Sequence, residues 1–69
     1  MQIKDANTFG SVIRKRRKEL GYTQKQISFF TGYSESFLSN LENGKETAEI
    51  GKAINVVNIL GINLIAENR

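Results

Sequence analysis

Apolar positions recur along this chain at helical spacing, and glycines punctuate them. Phe9, Ile13 and Leu20 lie on one stripe of a segment that Asn7 or Thr8 can cap, which predicts a first helix running to Leu20 and ending at Gly21. A second segment starts at Thr23, whose hydroxyl can cap it, and carries Gln24, Ile27, Ser28 and Thr31 on one inward face. Gly32 ends it, because glycine takes the left-handed conformation without a Cβ penalty. Ser34 can cap a third helix that buries Leu38 and Leu41 and closes at Asn43-Gly44. In the last helix, with Thr47 or Gly51 as alternative caps, Ile50, Ala53, Ile54, Val57 and Leu60 form the expected core stripe. Val56 and Ile59 form a second apolar stripe on a different face. A helix apolar on two faces needs two partners, and so short a chain supplies one, so Val56 and Ile59 are expected at a dimer interface.

After Gly61, the stretch Ile62-Asn63-Leu64-Ile65-Ala66 is short, β-branched and partly alternating, which favours a strand. The chain offers it no other strand, so it is expected to pair antiparallel with its own copy across a two-fold axis, adding Ile62, Leu64 and Ile65 to the interface. The alternative is a frayed tail. Residues 1–7 read as an arm in which Met1 and Ile3 alternate with polar residues, or as a fraying terminus. The expected organisation is one mainly all-α domain over residues 1–69, with a pair of short helices at 23–44 and a dimerising strand at 62–66.

Composition narrows the chemistry. At 69 residues there is room for one domain, and a chain of this size buries only about 60% of its unfolded surface. Its stability as a monomer should be marginal. Without cysteine or histidine, disulfides, zinc sites and most acid–base or nucleophilic catalysis lose their usual residues, so no enzyme, metal or cofactor is expected. No apolar run approaches the roughly 20 residues of a membrane span, and Met1 to Ala6 has no secretory core, which predicts a soluble, cytoplasmic protein with no membrane partner. Net charge is +3 and the pI about 9.5, in the range of nucleic-acid-binding domains. The densest charge, Arg14-Lys15-Arg16-Arg17-Lys18, cannot all point one way on a helix, and a solvated basic face is the usual fate of such a run.

Two helices joined by a tight turn form a corner whose second helix presents Ser34, Glu35, Ser36, Phe37, Ser39 and Asn40 outward, a size and polarity suited to a DNA major groove. The same face also suits an ordinary helical hairpin in water. The full run separates them. Gln24 directly after Thr23, then Gly32, Ser34 and Leu38-Ser39-Asn40-Leu41-Glu42-Asn43-Gly44 resemble the lambda-repressor-like, or Xre-type, helix-turn-helix family over roughly residues 9 to 60. Within it the chain is most similar to short HipB-type antitoxin regulators, because its fourth helix runs through Leu60-Gly61 straight into a strand-like ending.

The resemblance implies a domain of four to five helices, with a C-terminal β-strand that pairs across a dimer. It places Gln24, Ser34, Asn43 and Lys45 on phosphates and Glu35, Ser36 and Asn40 on bases, with Phe37 at the edge. Asparagine can bridge adenine N6 and N7, glutamate can accept from cytosine N4, and an aromatic ring can touch a thymine methyl. Glu35 can instead complement the first turn of its own helix. Arg17 is matched to an arginine that pairs with Glu42, and Ser28 to a small residue that lets the two motif helices approach. Phe29 and Phe30 depart from the family pattern. Either Met1 and Ile3 fold back over them, or they form a protein-binding patch.

The function implied is a homodimeric transcriptional repressor on a pseudo-palindromic operator, its half-sites about 34–36 Å apart. The HipB likeness makes it the DNA-binding antitoxin of a toxin–antitoxin operon, with a HipA-type toxin or a third protein as partner. A stand-alone or phage-type regulator has the same architecture. A protein-interaction module that kept the fold is the other class.

Overall fold

Four helices follow one another as α1 (Ala6–Glu19), α2 (Gln24–Thr31), α3 (Glu35–Glu42) and α4 (Ile50–Ile59), in a computed structural model that describes residues 2–69. Asp5 caps α1, in place of the expected Asn7 or Thr8: its carboxylate accepts the Thr8 amide at 2.7 Å and the Thr8 hydroxyl at 2.6 Å. A carboxylate there fills an orphan amide and also meets the positive end of the helix dipole, so it displaces the neutral candidates into the first turn. Leu20 becomes the C-cap and is 40% exposed, outside the core to which the apolar stripe assigned it.

The next two helices begin and end as expected. Thr23 and Gln26 form a reciprocal capping box, the Thr23 hydroxyl accepting from the Gln26 amide at 3.1 Å and the Gln26 side-chain oxygen from the Thr23 amide at 2.8 Å. Gly32 closes α2 at φ 78°, its amide donating to the Ser28 carbonyl at 2.8 Å. Ser34 caps α3 by accepting the Phe37 amide at 3.0 Å. By contrast α4 starts after Glu49 with no side-chain cap, so neither Thr47 nor Gly51 takes that place.

The core joins all four helices through Ile13, Ile27, Leu38, Leu41, Ala53, Val56, Val57 and Leu60. Val56 is 1% exposed, which removes it from the expected dimer face. The inward arc of α4 is Ala53, Val56, Val57 and Leu60, a full i, i+3, i+4, i+7 set, while Ile50 and Ile54 lie exposed beside it. With β-branched residues all round this helix, periodicity alone could not say which arc turns inward. Gly10 lets α1 close on α3: a Cβ there would strike the Leu41 carbonyl oxygen and come within 2.6 Å of that of Glu42.

Beyond α4, residues 62–66 form no strand within the single chain, and the described residues contain none. A strand needs a ladder partner, and this chain supplies none. Ile62 folds onto the core with its amide donating to the Val57 carbonyl at 3.0 Å, while Leu64 and Ile65 stay in solvent.

Candidate nucleic-acid interface

Rotation of α3 divides its residues cleanly. Leu38, Leu41 and Glu42 turn inward, and Glu35, Ser36 and Asn40 are exposed on the opposite side. Ser34 at the cap and Asn43 and Lys45 beyond the last turn are exposed as well, so the outer surface carries small hydrogen-bonding groups from end to end. Phe37 is the exception. It is half-buried, edge-on to Tyr33 at 5.5 Å between ring centroids, with the Lys52 ammonium 5.6 Å from its ring, so it fastens the start of α3 to α4 instead of extending the outer face.

The turn is pinned around Tyr33, a residue that sequence reasoning did not single out. The Ser28 hydroxyl donates to the Tyr33 carbonyl, and the Thr31 hydroxyl accepts the Tyr33 amide at 3.1 Å while donating to the Ile27 carbonyl at 2.8 Å. The Tyr33 hydroxyl accepts from the Asn55 side-chain amide at 2.6 Å, tying the turn to α4. An aromatic with a polar tip inside a tight turn was the available signal. Ser28 is thus more than a small packing residue: it crosses the turn with a hydrogen bond.

Behind the outer face, Arg17 and Glu42 meet as expected. The guanidinium donates through Nε at 2.8 Å and Nη2 at 2.9 Å to the two carboxylate oxygens, and through Nη1 to the Tyr22 carbonyl at 2.8 Å. Their side chains are 11% and 3% exposed. One fork thereby holds α1, the entry to α2 and the end of α3 in register. The Glu42 hydrogen bond raises the Arg17 pKa above the ordinary guanidinium value, burial opposes that, and Coulomb attraction to Glu42 adds to it. A raised cation pKa gives stability that is present below the unfolded value and lost only as pH rises through the folded one, so this contribution persists across neutral pH. Gln24 joins the pair, its side-chain amide donating to Glu42 at 3.3 Å. The half-buried Gln24 is therefore part of the scaffold beneath the face.

Arg16 also turns inward, donating from Nε to the Leu60 carbonyl at 3.0 Å, where a cation complements the C-terminal end of α4. Arg14, Lys15 and Lys18 are exposed.

The aromatic departure is bare. Phe29 is 85% exposed, edge-on to Phe30 at 6.2 Å, and Phe30 is edge-on to Tyr22 at 5.5 Å. Ile3 does not fold over them: it lines a groove of about 340 Å³ with Phe9, Leu41, Ala48, Ile50 and Ala53. Met1, the other half of that expectation, lies outside the described residues.

A helix-turn-helix family profile matches residues 13–65. The HTH-type transcriptional regulator y4mF of Sinorhizobium fredii (strain NBRC 101917 / NGR234) is 35% identical over 63 residues, which cover 91% of this chain and 83% of that protein. The competence pilus inhibition repressor of Acinetobacter baylyi (strain ATCC 33305 / BD413 / ADP1) is 38% identical over 65 residues, spanning 86% of this chain and 58% of the repressor. Among solved structures, HipB in a complex with an O4 20mer superposes with a TM-score of 0.89 at 16% identity, covering 99% of this chain and 96% of that one. A chain from a HipA-HipB-O2-O3 complex superposes with the same score, identity and coverage. At that identity the likeness is one of fold.

Proposed function

The chain belongs to the Xre-type helix-turn-helix family of transcriptional regulators, and we propose that it acts as a homodimeric repressor reading a pseudo-palindromic operator with α3. The observation that carries this reading is the exposure of Ser36 and Asn40 on a helix whose other side is locked by Leu38, Leu41 and Glu42. Asn40 would bridge an adenine edge, Ser36 would donate or accept, and Glu35 would accept from cytosine or complement the α3 N-terminus. Ser34, Asn43 and Lys45 would hold phosphates, joined by Gln24, whose amide keeps a second N–H beyond its bond to Glu42. Ile59, Leu64 and Ile65 are the exposed apolar residues left for a two-fold interface once Val56 is in the core, with Ile62 half-buried at its edge.

The finer reading is the DNA-binding antitoxin of a HipB-type toxin–antitoxin operon. It is supported by fold likeness to HipB, which occurs in a complex with an O4 20mer and in one with HipA. A HipA-type toxin, or a third protein of the operon, would be the second partner. A stand-alone or phage-type regulator shares every DNA-facing feature. Bare Phe29 favours a further reading, in which the fold serves as a protein-interaction module.

Binding of wild type and of the Ser36→Ala/Asn40→Ala double variant to DNA from immediately upstream of the chain's own gene, with molecular mass recorded alongside, tests the proposal. Specific binding by a dimer, lost in the double variant, is the expected result. Sequence-independent binding by wild type, or specific binding that survives the double substitution, would remove α3 as the reader. A partner retained at high salt without DNA affinity would move the function to the interaction module, because phosphate contacts weaken steeply with salt.

A further inference from the structure

The fold uses only part of the Arg14–Lys18 run. Arg16 and Arg17 are committed to the Leu60 carbonyl and to Glu42. Arg14, Lys15 and Lys18 are exposed and, among the described residues, make no ion pair. At about 100° per residue, Asn7, Arg14 and Lys18 fall within about 40° of one another on a single flank of α1, and Lys15 points about 60–100° further round. Glu19 lies beyond Lys15, so the flank holding Arg14 and Lys18 carries no carboxylate.

Three contacts locate that flank. Gly10, one turn before Arg14, abuts the Leu41 and Glu42 carbonyls. Asn7 packs on Gly44, where an added Cβ would lie 2.9 Å from the Asn7 Cα, in the loop that carries Asn43 and Lys45. At the other end, Arg17, about 60° from Arg14 on the side away from Lys15, holds the Tyr22 carbonyl on the way to Gln24 at the start of α2. The flank therefore borders the loop of Asn43 and Lys45 at its Asn7 end and runs about 17 Å, from Asn7 to Lys18 at 1.5 Å per residue, toward the start of α2.

We propose that Arg14 and Lys18 form a basic strip on α1 that grips the DNA backbone beside the groove entered by α3, an extension of the interface that rests on the DNA-binding reading above. Charge complementarity selects the occupant: two unpaired cations, without a carboxylate on their flank, border the loop proposed above to hold phosphates. Arg14 supplies a planar fork for two phosphate oxygens and Lys18 a point charge. Lys15, on the same helix with the same charge but facing elsewhere, makes no contact.

Arg14→Gln, Lys18→Gln and Lys15→Gln each remove one exposed charge, and thermal melting checks that each remains folded. Affinity for the upstream DNA and for a scrambled duplex is measured across salt. Arg14→Gln and Lys18→Gln should each reduce the slope of log K against log salt by about 0.9 and weaken both duplexes alike, leaving their ratio unchanged, because a phosphate contact carries no sequence information. Lys15→Gln should leave the slope at the wild-type value. Equal effects from all three would reduce the strip to diffuse net charge, and unchanged slopes in the first two would remove it. The repressor reading stands apart: wild type that prefers the upstream DNA and loses that preference in the α3 double variant, yet keeps its slope in Arg14→Gln and Lys18→Gln, overturns the strip alone. Wild type without DNA affinity overturns both.

Discussion

Between Thr23 and Asn43 both helices begin on a side-chain cap, whereas from Glu49 onward the chain has none. Thr23 and Ser34 each hold a first-turn amide of α2 and α3, and Arg17, Gln24 and Glu42 join the start of α2 and the end of α3 to α1. In the C-terminal part, α4 starts uncapped, Ile50 is 69% exposed, and Ile54, Ile59, Leu64 and Ile65 also meet solvent. Its polar ties come from elsewhere, as with the Arg16 hydrogen bond to Leu60 and the Asn55 bond to Tyr33. The first region caps its own helix starts and is tied to α1 by the ion pair, and so can present a rigid outer face. The second is held by one buried arc, and its remaining apolar surface suits a partner.

The largest break in that contrast lies at the ion pair. Arg17→Ala leaves the Glu42 carboxylate buried with only the Gln24 amide, a loss of about 3–5 kcal/mol. At about 4–8 °C per kcal/mol for a domain of this size, thermal unfolding should reveal a chain close to unfolded at room temperature. Arg17→Met/Glu42→Leu removes both charges together and should recover most of the loss. If Arg17→Ala melts within a few degrees of wild type, the pair is not what registers the helices.

Next comes Gly10→Ala, for which denaturant unfolding should show a loss of about 1–3 kcal/mol, since the new methyl meets backbone carbonyls that no side-chain rotation can clear. The same change at Gly51, whose Cβ would meet nothing within 4 Å, should stabilise α4 by up to about 1 kcal/mol through helix propensity. Equal effects at the two glycines would mean that α1 and α3 have room to separate.

Legibility in the sequence follows the same division. Thr23, Gly32, Ser34 and Gly44 act through their own backbone neighbours, so spacing alone located them, and the Arg17–Glu42 pair was reached through family resemblance. Asp5, Tyr33 and Arg16 were missed because their roles depend on competition or distant contact: Asp5 displaces two plausible caps, while Tyr33 and Arg16 reach residues 22 and 44 positions away. Val56 was misplaced for a different reason. On a helix with apolar residues on every side, the inward arc is chosen by the helices it packs against, and the pattern of α4 alone holds no record of them. The outer face of α3 was legible because its polar residues cluster on one side; Phe37 was not, since a ring can lie on either side of a boundary that only Tyr33 and Lys52 define.

A smaller test sharpens the contrast at the helix starts. Thr23→Ala and Ser34→Ala should each lose about 1 kcal/mol in denaturant unfolding. Glu49→Asp, offering a shorter carboxylate at the empty cap of α4, should gain up to about 1 kcal/mol; its exposed pairing with Lys52 at 3.4 Å contributes little to offset that. No gain would mean that α4 is positioned by burial in a geometry that its cap cannot improve.

The smallest effect on the fold belongs to the tail, and there the two regions should part most clearly. Leu64 and Ile65 are exposed, so Leu64→Asp/Ile65→Asp should change the unfolding free energy of the monomer by no more than about 0.5 kcal/mol. If residues 62–66 pair with a second copy, the same substitutions place like charges against each other across the two-fold axis, and the dimer should dissociate at concentrations where wild type holds together. Mass measured over a dilution series reads this directly, and in wild type the melting temperature should rise with concentration while in the variant it should not. A variant that stays dimeric would move the interface to Ile59 and the exposed edge of α4. A wild type that is monomeric throughout would leave the C-terminal apolar surface to a different protein, and the helix-turn-helix to act on DNA one chain at a time.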